Sequence, residues 1–318
     1  MSDENALIQF LTVMHRIRFT EEKINELRVA GDIVGSIHLC NGQEAIYTGA
    51  ASVLDLDVDA IFPTYRGHGW ALACGVPPEK LIAELLGRVT GISGGRGGSA
   101  YFTAPEYGMY GENSIVGAGA PIACGAALAS QFDGSNRVAL ASFGEGAMNQ
   151  GAVHEAMNFA AMRDLPVIFM IENNTYSELT PSKAMVRSDQ FYRRASAYGM
   201  PGQRIDGNDP VAVADAVADA AQRARRGGGP TLLEAMTHRL VGHYIGDIQH
   251  YRPEGELDTA LASEPIVRAE KIAVSRGTSE DDLTSLRESI RDEIEKAATS
   301  AIGASAADPA TVLEHLYA

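Results

Sequence analysis

Two short stretches of this chain carry the oxygen atoms that a hard cation seeks. Gly144-Glu145-Gly146 offers a carboxylate, and Glu172-Asn173-Asn174 ends in an amide oxygen. Such donors suit Mg²⁺ or Ca²⁺. The glycines beside Glu145 let backbone N–H groups approach an anion, and a helix starting just after them adds its positive end, which suits phosphate. Together these residues could hold a metal-bridged diphosphate. Either stretch alone would serve equally well as a helix cap or a polar turn. Their joint occurrence across one structural unit is what favours a site.

The pattern of apolar residues reveals that unit. Residues 138–143 form a short apolar run ending in a glycine turn, 149–163 carry apolar side chains at helical spacing (Val153, Met157, Ala160, Ala161), and 165–171 form a second apolar run. Strand, turn, helix and strand make a βαβ unit, whose parallel strands bring their C-terminal ends side by side. In open α/β folds ligands bind at that edge.

Other residues with chemical potential lie upstream. His38 sits in SIHLCNGQEA, a polar turn leading into a helix over about residues 43–53. Tyr65 and Arg66 follow a strand end in IFPTYRGHGWALACG, with Trp70 placed to pack beneath the turn. A hydroxyl and a guanidinium are the charge-assisted donors that phosphate oxygens accept from. Glycines crowd residues 90–111, which must form tight turns, and an apolar small-residue helix resumes over 115–130. The G-A-G-A-P sequence within that helix lacks the strand and glycine spacing of a dinucleotide fingerprint, so a nicotinamide site is set aside.

Composition bounds the partners. With 318 residues, 45% of them hydrophobic, the chain can bury a large core. A net charge of −15 argues against nucleic acid or an anionic membrane surface. A diphosphate must then be held by a metal, backbone amides and a few basic residues. Cys40, Cys74 and Cys124 are odd in number and lack metal-ligand spacing, which fits a reducing compartment. The N-terminus has no basic-then-apolar signal and no apolar run is long enough to span a bilayer, so a soluble, cytoplasmic protein is expected.

The motifs HLCNGQEA, YRGHG, GGRGGSAYF, IVGAGAPIACGAALA, GEGAMNQG, NFAAMRDLPVIFMIENNTY and GHYIGDIQHYR occur in one order along the chain. In that order they resemble the alpha subunit of the thiamine-diphosphate-dependent decarboxylating component of two-chain 2-oxo acid and acetoin dehydrogenases. The last motif is most similar to the acetoin and bacterial pyruvate branch. The resemblance implies that Glu145, the Asn174 side chain and the Tyr176 backbone oxygen hold Mg²⁺, and that Gly146 and Ala147 present N–H groups to the diphosphate of thiamine diphosphate. It implies that Tyr65, Arg66 and His243 face the diphosphate, that Ser114 and Val116 contact the aminopyrimidine through their backbones, and that His38 and His243 take part in catalysis. Glu145 stands where aspartate is more common, and its longer side chain should still reach the metal. Tyr244 stands where mitochondrial relatives carry a regulatory serine, so phosphorylation control at that position should be absent.

The fold implied is a parallel sheet with helices on both faces. Residues 1–35 would be an N-terminal helix, 36–262 the cofactor-binding α/β domain, and 263–318 a helical extension packed outside the sheet. The N-terminal helix, with apolar positions from Leu7 to Leu27, suits packing or a subunit contact. Residues 189–199 and 210–226 are expected to be helices and 231–237 a strand carrying the His243 loop. An imidazole with a pKa near neutrality at His243 could donate a proton during transfer to a lipoyl sulfur.

No candidate in this chain supplies the glutamate that activates the cofactor's pyrimidine. In the family a beta subunit provides it, so the active assembly should be a heterotetramer that passes a hydroxyethyl group to a lipoyl acyltransferase. Two rival readings are a two-chain transferase or synthase without a lipoyl partner, and a non-catalytic scaffold. The intact set of Glu145, Asn174, Tyr65, Arg66 and His243 argues against the scaffold.

Overall fold

The computed structural model describes residues 3–314. Five parallel strands form the central sheet: β1 (Ala60–Phe62), β2 (Ala139–Gly144), β3 (Val167–Asn173), β6 (Gly202–Asp206) and β7 (Thr231–Met236), in the order β1-β2-β3-β7-β6. A small hairpin, β4 (Tyr176–Ser177) with β5 (Thr180–Pro181), follows β3. The helices are α1 (Asp3–Ala30), α2 (Glu44–Ala51), α3 (His68–Ala73), α4 (Pro78–Leu85), α5 (Gly119–Asp133), α6 (Gly151–Met162), α7 (Ser182–Met185), α8 (Pro210–Arg225), α9 (Glu256–Ala262), α10 (Pro265–Ser275) and α11 (Glu280–Gly303).

The apolar runs of β2 and β3 are unbroken because helices cover both sheet faces, as parallel sheets require. Alternate residues serve opposite layers. Leu140, Ile168, Met170 and Leu233 join a core that includes residues of α2, α3, α4 and α8, whereas Ala141, Phe143, Phe169 and Ile171 join one that includes residues of α5 and α6. The βαβ unit expected between residues 138 and 171 is present as β2, a 3₁₀ turn over Glu145–Asn149, α6 and β3.

One expectation is corrected. The C-terminal helices do not pack on the sheet: Ile266, Ala269, Ala273 and Leu283 of α10 and α11 meet Leu7, Leu11 and Met14 of α1. The apolar face of α1 is thereby covered within the chain, with Ile17 and Ile24 fully buried, so it is packing surface rather than an open subunit contact. The helix expected over residues 189–199 is present as a 3₁₀ helix over Phe191–Tyr198, closed by Gly199 at φ 70°. Strand β6 escaped the sequence pattern because GQRID is a polar edge strand with only Ile205 buried. No helix among the described residues is long and apolar enough to cross a membrane.

Candidate active site

Because the strands are parallel, the chain leaves each of them at the same edge. Gly144 lies beside Glu172, and Asn173 beside Met236. A cavity of about 350 Å³ sits there. Tyr65 and Arg66 reach it after β1, Gly146 and Ala147 after β2, Asn174 and Tyr176 after β3, and His243 after β7; the loops before α2 and α5 add His38, Ser114 and Val116. Every candidate site residue except Glu145 lines this cavity. Glu145 lies fully buried between Gly144 and Gly146, which do.

The Glu145 carboxylate is half satisfied. Ser182 Oγ donates to Oε1 at 2.7 Å, while Oε2 is buried with no partner. Burial pushes its pKa up against the opposing pull of the Ser182 hydroxyl and the Asn174 backbone N–H. A cation against Oε2 would remove that cost. Of the paired asparagines, Asn173 donates Nδ2 to Glu234 at 2.6 Å, and Asn174 alone lines the cavity. The chain then doubles back at once: Thr175 and Glu178 hold φ of 68° and 54°, a conformation that costs a non-glycine residue on the order of 1–2 kcal/mol. Strain of this kind persists where the surroundings enforce it, and Tyr176 sits between the two. A Cβ at Gly146 would strike Ser177 Oγ, so only glycine leaves the backbone accessible there.

The opposite wall is basic and aromatic. Arg66 donates to the backbone oxygens of Leu39 and His243, the latter at 3.1 Å, tying two loops together as well as lining the cavity. Arg239, which the sequence reading missed, is buried at the same wall. It donates to Glu178 O and Tyr251 Oη, both at 3.0 Å, and its Nη1 meets His243 Nδ1 at 3.2 Å. Its Nε is buried without a partner. Among the described residues these two guanidiniums bond only to carbonyl, hydroxyl and ring-nitrogen atoms. Burial, then Arg66, lowers the Arg239 pKa to about 10. The place of Arg239 in the same loop as His243, after β7, was visible in the sequence, but its burial against the cavity was not.

His243 departs from the expectation of a near-neutral pKa. Burial, then Arg66 and Arg239, push it down to about 4. Since an arginine can only donate, Nδ1 accepts and the neutral ring carries its proton on Nε2. His38, pushed to about 3 by burial and Arg66, packs 4.5 Å from Tyr65 and 4.9 Å from His243 between ring centroids, and its Nδ1 is buried without a partner.

The cavity is thus two-sided, with an orphaned carboxylate oxygen and an amide on one wall and unpaired buried cations on the other. Among the described residues no cluster of three or more His, Cys, Asp or Glu could hold a metal ion. A divalent ion here would therefore use one carboxylate, an amide and backbone oxygens, and share the rest of its shell with a bound anion, as Mg²⁺ does with substrate phosphates.

The family model for the dehydrogenase E1 component matches residues 12–310. The chain belongs to the dehydrogenase E1 component family. It is 39% identical over 297 residues to the alpha subunit of acetoin:2,6-dichlorophenolindophenol oxidoreductase from Bacillus subtilis, covering 93% of this chain and 89% of that protein. The same-named subunit from Cupriavidus necator is 39% identical over 99% of this chain and 95% of its own length. The pyruvate dehydrogenase E1 component subunit alpha of Zymomonas mobilis is 37% identical over 93% of this chain and 84% of its own. The match spans the sheet, all of α10 and α11 and α1 from residue 12 onward, so this E1 component includes the helical layer built by α1, α10 and α11.

Proposed function

We propose that this chain is the alpha subunit of a cytoplasmic, thiamine-diphosphate-dependent dehydrogenase component that decarboxylates pyruvate or cleaves acetoin. The observation that carries the proposal is the two-sided cavity: the unpartnered Glu145 oxygen beside Asn174 suits a divalent metal, and Arg66 with Arg239 suits a diphosphate. Glu145, the Asn174 side chain and the Tyr176 backbone oxygen hold Mg²⁺. Gly146 and Ala147 present N–H groups to the diphosphate, Tyr65, Arg66 and His243 face it, and Ser114 and Val116 take the aminopyrimidine. When bound, thiamine diphosphate supplies a thiazolium carbon that adds to the substrate carbonyl and serves as electron sink.

The remaining work falls to side chains of this subunit and of a second one. A beta subunit brings the activating glutamate and completes an α₂β₂ assembly across an interface of roughly 2,000 Å² or more. His38 and the Nε2–H of His243 meet the reacting groups, and the two-carbon unit passes to a lipoyl acyltransferase. The oxidoreductase and dehydrogenase names of the relatives support this reading over a transferase that needs no lipoyl carrier.

The test is reduction of a dye acceptor by pyruvate or acetoin, with Mg²⁺, thiamine diphosphate and the second subunit each omitted in turn. Activity is expected only in the complete mixture, and light scattering should show the heterotetramer. Full activity from this chain alone, or without the cofactor, overturns the proposal.

A further inference from the structure

A chain of buried polar groups runs from inside the sheet to the proposed metal ligand Asn174, and the mechanism so far does not use it. Glu172, buried on β3, accepts from four donors: Trp70 Nε1 at 2.9 Å and Ser142 Oγ on one oxygen, Gln43 Nε2 at 2.7 Å and Tyr47 Oη at 2.9 Å on the other. Gln43 is fully buried, and its Nε2 also meets Tyr47 Oη at 2.9 Å. Its own carbonyl, Oε1, accepts from Asn174 Nδ2 at 3.1 Å.

An amide looks almost the same either way round, so something must decide which end of Asn174 faces the cavity. Here the donors and acceptors leave one solution. A carboxylate offers only acceptors, so Gln43 must turn its NH₂ toward Glu172. Its oxygen then faces Asn174, which must answer with Nδ2. Oδ1 of Asn174 is left for the opposite side, where it accepts from the Tyr176 backbone N–H at 3.3 Å and keeps a second lone pair that a cation can use.

We infer that Glu172 and Gln43 are positioning residues that fix the amide of Asn174 with its oxygen toward the metal. The inference rests on the cofactor assignment proposed above. Asn173 is held in the same manner by a direct bond to Glu234, so a buried carboxylate orients each asparagine of the pair, one directly and one through Gln43. Outer partners of metal ligands commonly change metal affinity by 10- to 100-fold when replaced.

Glu172→Gln tests this without changing volume. Trp70 still holds the new side chain's oxygen, so an NH₂ is turned toward Gln43. The favourable response is for Gln43 to flip, then Asn174, which puts NH₂ where the cation needs oxygen. Exchanging the pair, Glu172→Gln with Gln43→Glu, reverses the donor between those two positions but again presents an acceptor to Asn174 Nδ2. Mg²⁺ affinity would be measured by calorimetry on the complete assembly at saturating thiamine diphosphate, with the melting temperature of each variant measured without ligands.

Glu172→Gln should weaken Mg²⁺ about tenfold or more, and the exchanged pair should return it to within about threefold of wild type. Gln43→Met, which cuts the chain without placing two carboxylates together, should weaken Mg²⁺ by a similar factor and serves if the exchanged pair does not fold. Unchanged Mg²⁺ affinity in both Glu172→Gln and Gln43→Met overturns the inference. So does an exchanged pair that folds with the wild-type melting temperature but binds as weakly as Glu172→Gln. A wild-type assembly that binds no Mg²⁺ with thiamine diphosphate overturns the cofactor assignment instead, and this inference with it.

Discussion

The two walls of the cavity are built on different principles. On the wall formed by the ends of β2 and β3, Glu145 and Asn174 follow strands whose register is fixed along their whole length, and one carboxylate oxygen is left unpartnered. On the wall after β1 and β7, Arg66, Arg239, His38 and His243 are carried by loops and braced on backbone carbonyls and one another. On the proposed reading the first wall has one strongly directional job, coordinating a cation, and strand ends place ligands with little freedom. On the same reading the second stabilises spread-out negative charge and lets a substrate in, and loops braced by long cationic side chains would serve that need.

The contrast predicts that the walls fail differently. The largest effect is expected at His243. If the bound diphosphate raises the His243 pKa enough for the ring to take a second proton, and that imidazolium supplies the proton for transfer of the two-carbon unit to a lipoyl sulfur, His243→Ala should slow that transfer by roughly 10²- to 10⁴-fold. Turnover with a dye acceptor, which bypasses the sulfur, should suffer less. Equal and large losses in both assays would make His243 a cofactor ligand and no proton donor.

Next comes the metal wall. Glu145→Ala removes the carboxylate proposed to hold the cation and should weaken Mg²⁺-dependent cofactor binding by 10- to 100-fold or more. Calorimetry on the assembled enzyme would measure it, and unchanged affinity would refute the ligand assignment. Arg239→Met should cost less. Losing one charge-assisted contact of about 1.5 kcal/mol corresponds to roughly tenfold in cofactor affinity. This loss should persist at saturating Mg²⁺, whereas part of the Glu145→Ala loss should be recoverable there. If high Mg²⁺ rescues both variants alike, the division into a metal wall and an anion wall is wrong.

The same contrast explains what the sequence could disclose. The placement of Glu145 and Asn174 at one sheet edge was legible because they sit at the ends of two apolar runs, where period and punctuation place them without any tertiary knowledge. Tyr65 and Arg66 were legible for the same reason, after a strand end. Arg239 was not, since nothing local distinguishes an arginine that is buried beside a cavity from one on a surface loop. The downward shift of the His243 pKa was not foreseen because it comes from burial and then from two guanidiniums, one of them 177 positions away in sequence and hydrogen-bonded to the His243 carbonyl. Gln43 and Glu172 were quoted within motifs, but their pairing across the fold has no sequence signature. The packing of α10 and α11 on α1 was likewise hidden: an amphipathic helix declares that it has a partner, not which one.

The smallest effect is one of pH, and its sign follows from the basic wall. His38 and His243 are held at about 3 and about 4 in the folded chain, against an ordinary value of 6.5. Between those limits the unfolded chain binds protons that the folded chain does not, so stability falls as pH drops from 6.5 toward 4 and the loss is complete below the folded values. A bound diphosphate adds negative charge beside both rings and should raise their pKa, which shrinks the loss. Melting temperatures at pH 7 and pH 5, with and without Mg²⁺ and thiamine diphosphate, would show this as a drop that the ligands reduce. Carboxylates across the molecule titrate in the same range, so the quantity to read is the difference between wild type and His243→Gln. The variant cannot take up the proton and should lose less on acidification. An identical drop in both proteins would mean that His243 titrates normally, and that the guanidiniums of Arg66 and Arg239 do not act on it as their geometry requires.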